Sequence, residues 1–308
     1  ATAARPHAPH PVAGNLYSVM RFLVTHKTTY RYSALVHQSY HLLHLSPCPV
    51  AFQSVHSHLV TASPTPARNS DGTDYFGNPF RIVTIETDHQ ELVVEARTDL
   101  TVDQAVPGDD VLANSTSWQE LVDGKGAGPD VQQYTAASRH GRRIQALRDY
   151  ARASFPDGAP VVAATHDLMR RIFEEFKFDP SATDVSTPVE TVFEERRGVC
   201  QDFAHLMISA LRSLGLPARY VSGYILTHPP PGQPRLQGAD ASHAWVSVWA
   251  PETGWVDFDP TNNLMPHGEH VTIAYGRDYD DVSPIGGVLL GGGAHTVDVA
   301  VDVAPVAE

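Results

Sequence analysis

The 308 residues predict an α+β fold in which an antiparallel β domain, a sandwich or a single sheet, precedes helices packed on a second antiparallel sheet. Three observations carry this expectation. Residues 20–111 alternate between polar and apolar with period two and are rich in β-branched and aromatic side chains, the pattern of half-buried strands. Residues 138–214 then place apolar side chains at intervals of three and four, the period of a helix that buries one face. From Ala218 the pattern returns to short strands bounded by Pro or Gly.

The first 19 residues, ATAARPHAPHPVAGNLYSV, are rich in Ala, Pro and His and lack the apolar core of a secretory signal, so they are expected to be disordered. The segments FLVTHKTTYRY, QSYHLLHLS, VHSHLVTAS, RIVTIET and LVVEARTDL read as strands of a first domain over residues 20–111, with turns at Asp-Gly and Asn-Pro. His56 and His58, two apart on a strand, share a face as two metal ligands can, but no third ligand follows at a suitable spacing. They read as two histidines on a solvated face. Cys48, between Pro47 and Pro49, lies in a loop with no helix behind it and reads as structural.

Residues 112–137 contain Gly, Asp, Ser and Gln with weak periodicity and are expected to be a surface linker. Ile144, Leu147, Tyr150 and Ala151 mark one amphipathic helix, and Leu168, Met169, Ile172, Phe173 and Phe176 mark a second. Thr187-Pro188-Val189-Glu190 reads as a cap, a first-turn proline and a capping glutamate, so a short helix should run to about Arg197 and stop at Gly198. The next helix opens at Cys200. Its stripe is Phe203, Leu206, Met207, Ala210, Leu211 and Leu214, and Gly215 and Pro217 end it.

After it come the strands ARYVSGYILT, HAWVSVWA and GWVDFDP, completing a core over residues 138–276. The proline-rich loop His228 to Asp240 is too long for a tight hairpin and reads either as a lid or substrate edge or as a surface excursion. Residues 277–308 form an extension whose alternating TVDVAVDVAPV needs a partner strand in one of the sheets.

Composition excludes some functions. A formal charge of -13 without clustered Lys or Arg argues against a nucleic-acid partner, and no apolar run reaches membrane-spanning length. Two cysteines are too few for a disulfide framework, so a reducing cytoplasm is the expected home. Metal, nucleotide and flavin motifs are absent. GGVLLGGGAH lacks the strand-then-helix context of a phosphate-cradling loop, and no cofactor is expected. The sequence leaves the oligomeric state open.

One constellation carries chemistry. Cys200 falls on the first turn of a helix, where unpaired N–H groups and the positive dipole end favour a thiolate. His243 follows 43 residues later on a strand, and Asp259 follows 16 residues after that at the end of the next strand. A thiol nucleophile needs a base within reach and an acceptor that holds the base in the right tautomer. Adjacent antiparallel strands would bring ring and carboxylate side by side. Asp257 shares a strand face with Asp259, so alternation does not separate them. A single Cys before a helix is also often an ordinary small core residue, and spacing alone leaves both readings open.

The stretches RGVCQDFAHLMISALRSLGLPARYVSGY and SHAWVSVWAPETGWVDFDPTNN resemble the bacterial transglutaminase-like family of putative cysteine proteases, whose core is related to papain and to animal transglutaminases. YRYSALVHQSYHLLHLSP is similar to that family's accessory β domain. The resemblance implies a papain-like or transglutaminase-like core, with Cys200 as nucleophile, His243 as base and Asp259 as orienting acid. Asp259 is preferred to Asp257 because Phe258-Asp259-Pro260-Thr261 matches the family's motif.

The implied mechanism is acyl transfer on a peptide or protein amide through a thioester. The Cys200 N–H is the best oxyanion donor, and Gln201 and the Trp245 indole are candidates for a second. Papain-like enzymes use a glutamine several residues before the cysteine; here Glu194, Glu195 and Arg196 occupy that region, which leaves the oxyanion hole partly unassigned. Asp202 and His205 are candidate substrate contacts, each with a structural explanation at a helix start. Trp245, Trp249 and Trp255 are candidates for the cleft wall or for packing. Three outcomes share these residues: hydrolysis of a peptide or other amide, transamidation of a glutamine side chain, or a binding module on an inert fold.

Overall fold

The computed structural model describes residues 19–228 and 242–306. The proline-rich loop read as a lid, a substrate edge or a surface excursion lies, apart from His228, outside the described residues, as does almost all of the first segment. The strands are β1 (Met20–Leu43), β2 (Gln53–Ser63), β3 (Arg68–Thr73), β4 (Pro79–Ile85) and β5 (His89–Val102). Short helices α1 (Asp109–Asn114), α2 (Trp118–Val122) and α3 (Pro129–Gln132) follow, then α4 (Gln145–Arg152), α5 (Val161–Glu175), β6 (Lys177–Phe178), α6 (Val189–Glu195) and β7 (Arg197–Gly198). The chain continues through α7 (Cys200–Leu214), β8 (Ala218–Ile225), β9 (Ser242–Ala250), β10 (Gly254–Phe258) and β11 (His270–Gly276). It closes with α8 (Tyr279–Val282), β12 (Ile285–Gly291) and β13 (His295–Pro305). Among the described residues no helix is long and apolar enough to cross a membrane.

The fold is α+β. Among the described residues a seven-stranded antiparallel sheet has the order β2-β5-β1-β4-β3, with β12 and β13 also paired to the long β1. A four-stranded antiparallel sheet runs β10-β9-β8-β11. α7 packs against β8 and β9, with α4, α5 and α6 around it. The carboxy-terminal strand belongs to the first sheet, pairing antiparallel with β1 from Phe22↔Pro305 to Tyr32↔His295. Phe22, Val24, Leu100, Val102, Val301 and Val303 of that sheet share one apolar core with α7 and the second sheet.

Residues 112–137 are not a bare linker. Trp118, Leu121, Val131 and Tyr134 are buried, each from a segment of a few residues, which is why no periodicity announces them. The helix after Pro188 ends at Arg196, which takes the left-handed conformation (φ 54°), and not at Gly198. Gly198 serves a close approach instead: a Cβ there would lie 2.7 Å from the Asp202 carboxylate. Nor does α7 bury only one face, since every residue from Asp202 to Leu214 is buried, Arg212 included.

The two sheets are joined at the outer edge of β11 by side chains that imitate a neighbouring strand. Gln53 donates to the Thr272 carbonyl (2.9 Å) and accepts from its N–H (3.0 Å). Asn78 does the same at Tyr275 (2.7 and 2.8 Å). A buried edge would otherwise leave peptide groups unpaired at a cost of about 1–3 kcal/mol each.

Candidate active site

The helix that carries the cysteine is capped by its own sequence. Val199 is the N-cap, with extended backbone, and Asp202 three residues on accepts from the Val199 N–H at 2.8 Å, one half of a capping box. Asp202 also accepts from the Thr183 hydroxyl at 2.6 Å. Cys200 thus opens α7 partly exposed, with its sulfur 4.0 Å from the Ser242 carbonyl of β9.

β9 alternates as its composition requires. Ala244, Val246 and Val248 face the helical core, while Trp245 faces a separate cluster with Cys48, Val221 and Tyr275. His243 is on the Trp245 side, at the end of the strand that meets the start of α7. Its Nε2 lies 2.6 Å from Asp259 Oδ2, and the Cys200 thiol is near enough to the ring to raise its pKa. With Nε2 turned to the carboxylate, Nδ1 is the nitrogen left for the sulfur. The structure therefore brings together the three residues expected from sequence.

Asp259 is not on a strand. β10 ends at Phe258, and the chain turns through Pro260–Asn263, with an isolated bridge from Asp259 to Leu264. That turn aims donors at the carboxylate: the Thr261 N–H (2.9 Å) and Asn262 N–H (3.3 Å) reach Oδ1, and the Asn262 side-chain amide reaches Oδ2 at 2.7 Å. Asp257 stays on β10, where it accepts from the Trp245 indole at 3.1 Å. The two carboxylates that alternation leaves equivalent are separated by their partners.

A fourth group was not anticipated. His270, at the start of β11, is fully buried with Nε2 3.2 Å from the same Asp259 Oδ2. No spacing rule points to it, because β11 pairs with β8 and lies on the far side of the sheet from β10. Gly223 of β8 makes the crossing possible. A Cβ there would stand 2.5 Å from the Trp245 ring and 2.2 Å from the Val271 carbonyl.

Burial alone would push the His243 pKa down, but the Asp259 charge and hydrogen bond, with those of Cys200, outweigh it and raise the pKa above the ordinary histidine value. Burial opposes charge on Asp259 too, yet the two histidines hold its carboxyl well below the usual carboxylate range. Both shifts favour a cationic His243 facing an anionic Asp259, the arrangement that sets positive charge beside the Cys200 sulfur.

The other expected contacts fare differently. Trp245 is fully buried and its indole is spent on Asp257, which removes it from the oxyanion donors. Trp249 donates to the Gly126 carbonyl at 2.8 Å and stacks edge-on with Trp255, which in turn meets Tyr134, so both pack. Asp202 is buried and its carboxylate is engaged by the Val199 N–H and the Thr183 hydroxyl, which accounts for it as a capping residue. His205 is buried, accepts from the Tyr279 N–H (3.2 Å), and stacks on His140 and Tyr220; burial lowers its pKa to about 3. Gln201 is partly exposed, next to Cys200 in the chain. His58 spends both ring nitrogens on Thr98 and Ser46, and His56 pairs its Nε2 with Thr101.

His243, Asp259 and His270 offer donor types that metals accept, all within 4.8 Å. Their closest pair, at 2.6 Å, has the spacing of a hydrogen bond, whereas two ligands each about 2 Å from one ion normally stand further apart.

Fold and site together define a class: an α+β protein with a cysteine at a helix start set against a histidine and an aspartate from an antiparallel sheet. Residues 148–260 match the transglutaminase-like superfamily core, and residues 22–101 match the bacterial transglutaminase-like N-terminal region. An uncharacterized protein of Mycobacterium tuberculosis is 37% identical over 293 residues, covering 92% of this chain and 93% of its own. A protein-glutamine gamma-glutamyltransferase of Pseudomonas aeruginosa is 36% identical over 132 residues, 41% of this chain and 19% of its own. A solved structure described as "a Putative Cysteine Protease from Cytophaga hutchinsonii" shares the fold with a TM-score of 0.76 at 20% identity, over 94% of this chain and 92% of that one. The chain belongs to the transglutaminase-like superfamily.

Proposed function

We propose that this protein catalyses cysteine-dependent acyl transfer at an amide bond of a peptide or protein, with Cys200 as nucleophile, His243 as acid and base, and Asp259 as the group that orients and charges His243. The observation that carries the reading is the single imidazole bonded to a fully buried carboxylate at 2.6 Å and set beside the cysteine that opens α7. The sulfur attacks the carbonyl carbon, and the Cys200 N–H at the start of α7 stabilises the oxyanion. His243 passes its proton to the departing amine, leaving a thioester on Cys200. An incoming water or amine then gives a proton to His243 and displaces the sulfur.

Hydrolysis is the first reading, because Cys200 is partly exposed and water reaches a thioester there. Transamidation is the second, favoured by the similarity to the Pseudomonas aeruginosa protein-glutamine gamma-glutamyltransferase. The two differ in what resolves the thioester. The test assays peptide cleavage, ammonia release from glutamine and incorporation of a labelled primary amine in parallel, with Cys200→Ala as control. Cleavage or ammonia release without incorporation selects hydrolysis, and incorporation selects transamidation. Absence of all three in folded protein returns the site to a binding role.

A further inference from the structure

The carboxylate that faces His243 is held by more than its partner in the proposed reaction. Asp259 Oδ2 takes three donors: His243 Nε2 at 2.6 Å, the Asn262 amide at 2.7 Å and His270 Nε2 at 3.2 Å. For His270 to donate, its proton must sit on Nε2. Its other nitrogen, Nδ1, is buried without a hydrogen-bond partner among the described residues. A proton there would bury a charged N–H with nothing to accept it, so the ring is the neutral Nε2–H form. Burial, the largest influence on His270, lowers its pKa in the same sense.

The two histidines around one oxygen therefore differ in charge: His243 is a cation that trades its proton, and His270 is a neutral donor that keeps it. A third donor on Oδ2 draws off part of the carboxylate's negative charge. It also restricts rotation of the carboxylate, which Asn262, borne on the same turn, cannot do from outside. The backbone that presents His270 is itself anchored, since Gln53 of the amino-terminal sheet binds both peptide groups of Thr272, two residues further along β11.

We propose that His270 is a positioning residue for the acyl-transfer site, fixing Asp259 Oδ2 against His243 and moderating its hold on the His243 proton. The proposal rests on the reading of Cys200, His243 and Asp259 given above. Other titratable groups face this cluster from the packed elements. They are Cys200 from α7, Asp257 on β10 behind Trp245, and His267 just before β11. All remain unchanged in the variants that follow.

The test needs no substrate. Cys200 alkylation by iodoacetamide is measured from pH 5 to about 11.5 and located by peptide mass mapping, which separates it from buried Cys48. The variants are His270→Leu, which keeps volume without a donor, and His270→Gln, whose amide N–H reaches the Nε2 position. Loss of the His243 proton sets the alkaline inflection of the profile. Removing a donor leaves Asp259 more basic toward His243, so His270→Leu moves that inflection up by roughly half a pH unit or more. His270→Gln returns it to the wild-type position.

If the leucine variant does not fold, His270→Asn, whose shorter amide does not reach Asp259, is expected to move the inflection in the same direction. An unmoved or lowered inflection in the leucine or asparagine variant overturns the proposal, as does a glutamine variant displaced as far as leucine, with circular dichroism confirming the fold in each. Identical profiles for wild type and His243→Ala overturn the proposal together with the reading beneath it. An inflection that depends on His243 but ignores His270 overturns the proposal alone.

Discussion

Replacing His243 with alanine is expected to lower turnover of an amide substrate by about a thousandfold or more while leaving the fold intact. The ring sits between two groups that matter to the proposed chemistry, the nearby Cys200 thiol and Asp259 Oδ2 at 2.6 Å. Alanine removes the group that protonates the leaving amine and the positive charge beside the sulfur. It also leaves Asp259 with one donor fewer, although Asn262, Thr261 and His270 still satisfy the carboxylate. Structure should therefore survive better than activity, and steady-state kinetics paired with a thermal melt separates the two. A loss of less than tenfold would mean that His243 transfers no proton in the reaction.

Replacing Arg212 with methionine is expected to lower stability by about 3–6 kcal/mol, read as a fall in Tm on the order of 10 °C. The guanidinium is fully buried among backbone carbonyls. It donates from Nε to the carbonyls of Tyr134 (2.8 Å) and Ala218 (3.1 Å), and from Nη2 to those of Ala218 (2.8 Å) and Arg277 (2.6 Å). Nη1 adds the Ser138 hydroxyl at 2.9 Å. One side chain of α7 thereby ties the segment before α4, the start of β8 and the segment after β11 to the helix that presents Cys200. Methionine fills the space but strands three buried carbonyls, each worth roughly 1–3 kcal/mol. Lysine is no substitute, because a point charge does not reproduce the planar fork. A melt unchanged within about 2 °C would contradict this role.

The parts of the site legible in the sequence are those that lie on regular elements. Cys200 is marked by Gly198 before it and the apolar stripe after it, and His243 and Trp245 by simple strand alternation. Asp259 and Asp257 are not separable that way, since what distinguishes them is the end of β10 at Phe258 and a turn whose N–H groups converge on one carboxylate. Motif resemblance supplies the choice that periodicity does not.

His270 and Arg212 are illegible for different reasons. His270 reaches Asp259 across a sheet in which β11 and β10 are the two outer strands, so the contact depends on tertiary curvature and on the bare Gly223. Arg212 lies off the apolar stripe of α7, so periodicity gives no sign of its burial; the carbonyls brought to it from distant segments make that burial tolerable. The short helices between α1 and α4 escape notice because each buries one or two side chains, below what a period of 3.6 reveals.

The proposed chemistry requires an acyl group carried by Cys200, and trapping it is the most direct test. The wild-type protein is quenched in acid during turnover of an activated acyl ester, and the mass of each cysteine peptide is measured. One acyl group on the Cys200 peptide, none on Cys48, and loss of the adduct in His243→Ala is the expected result. An adduct absent from Cys200, or formed as readily without His243, would contradict it.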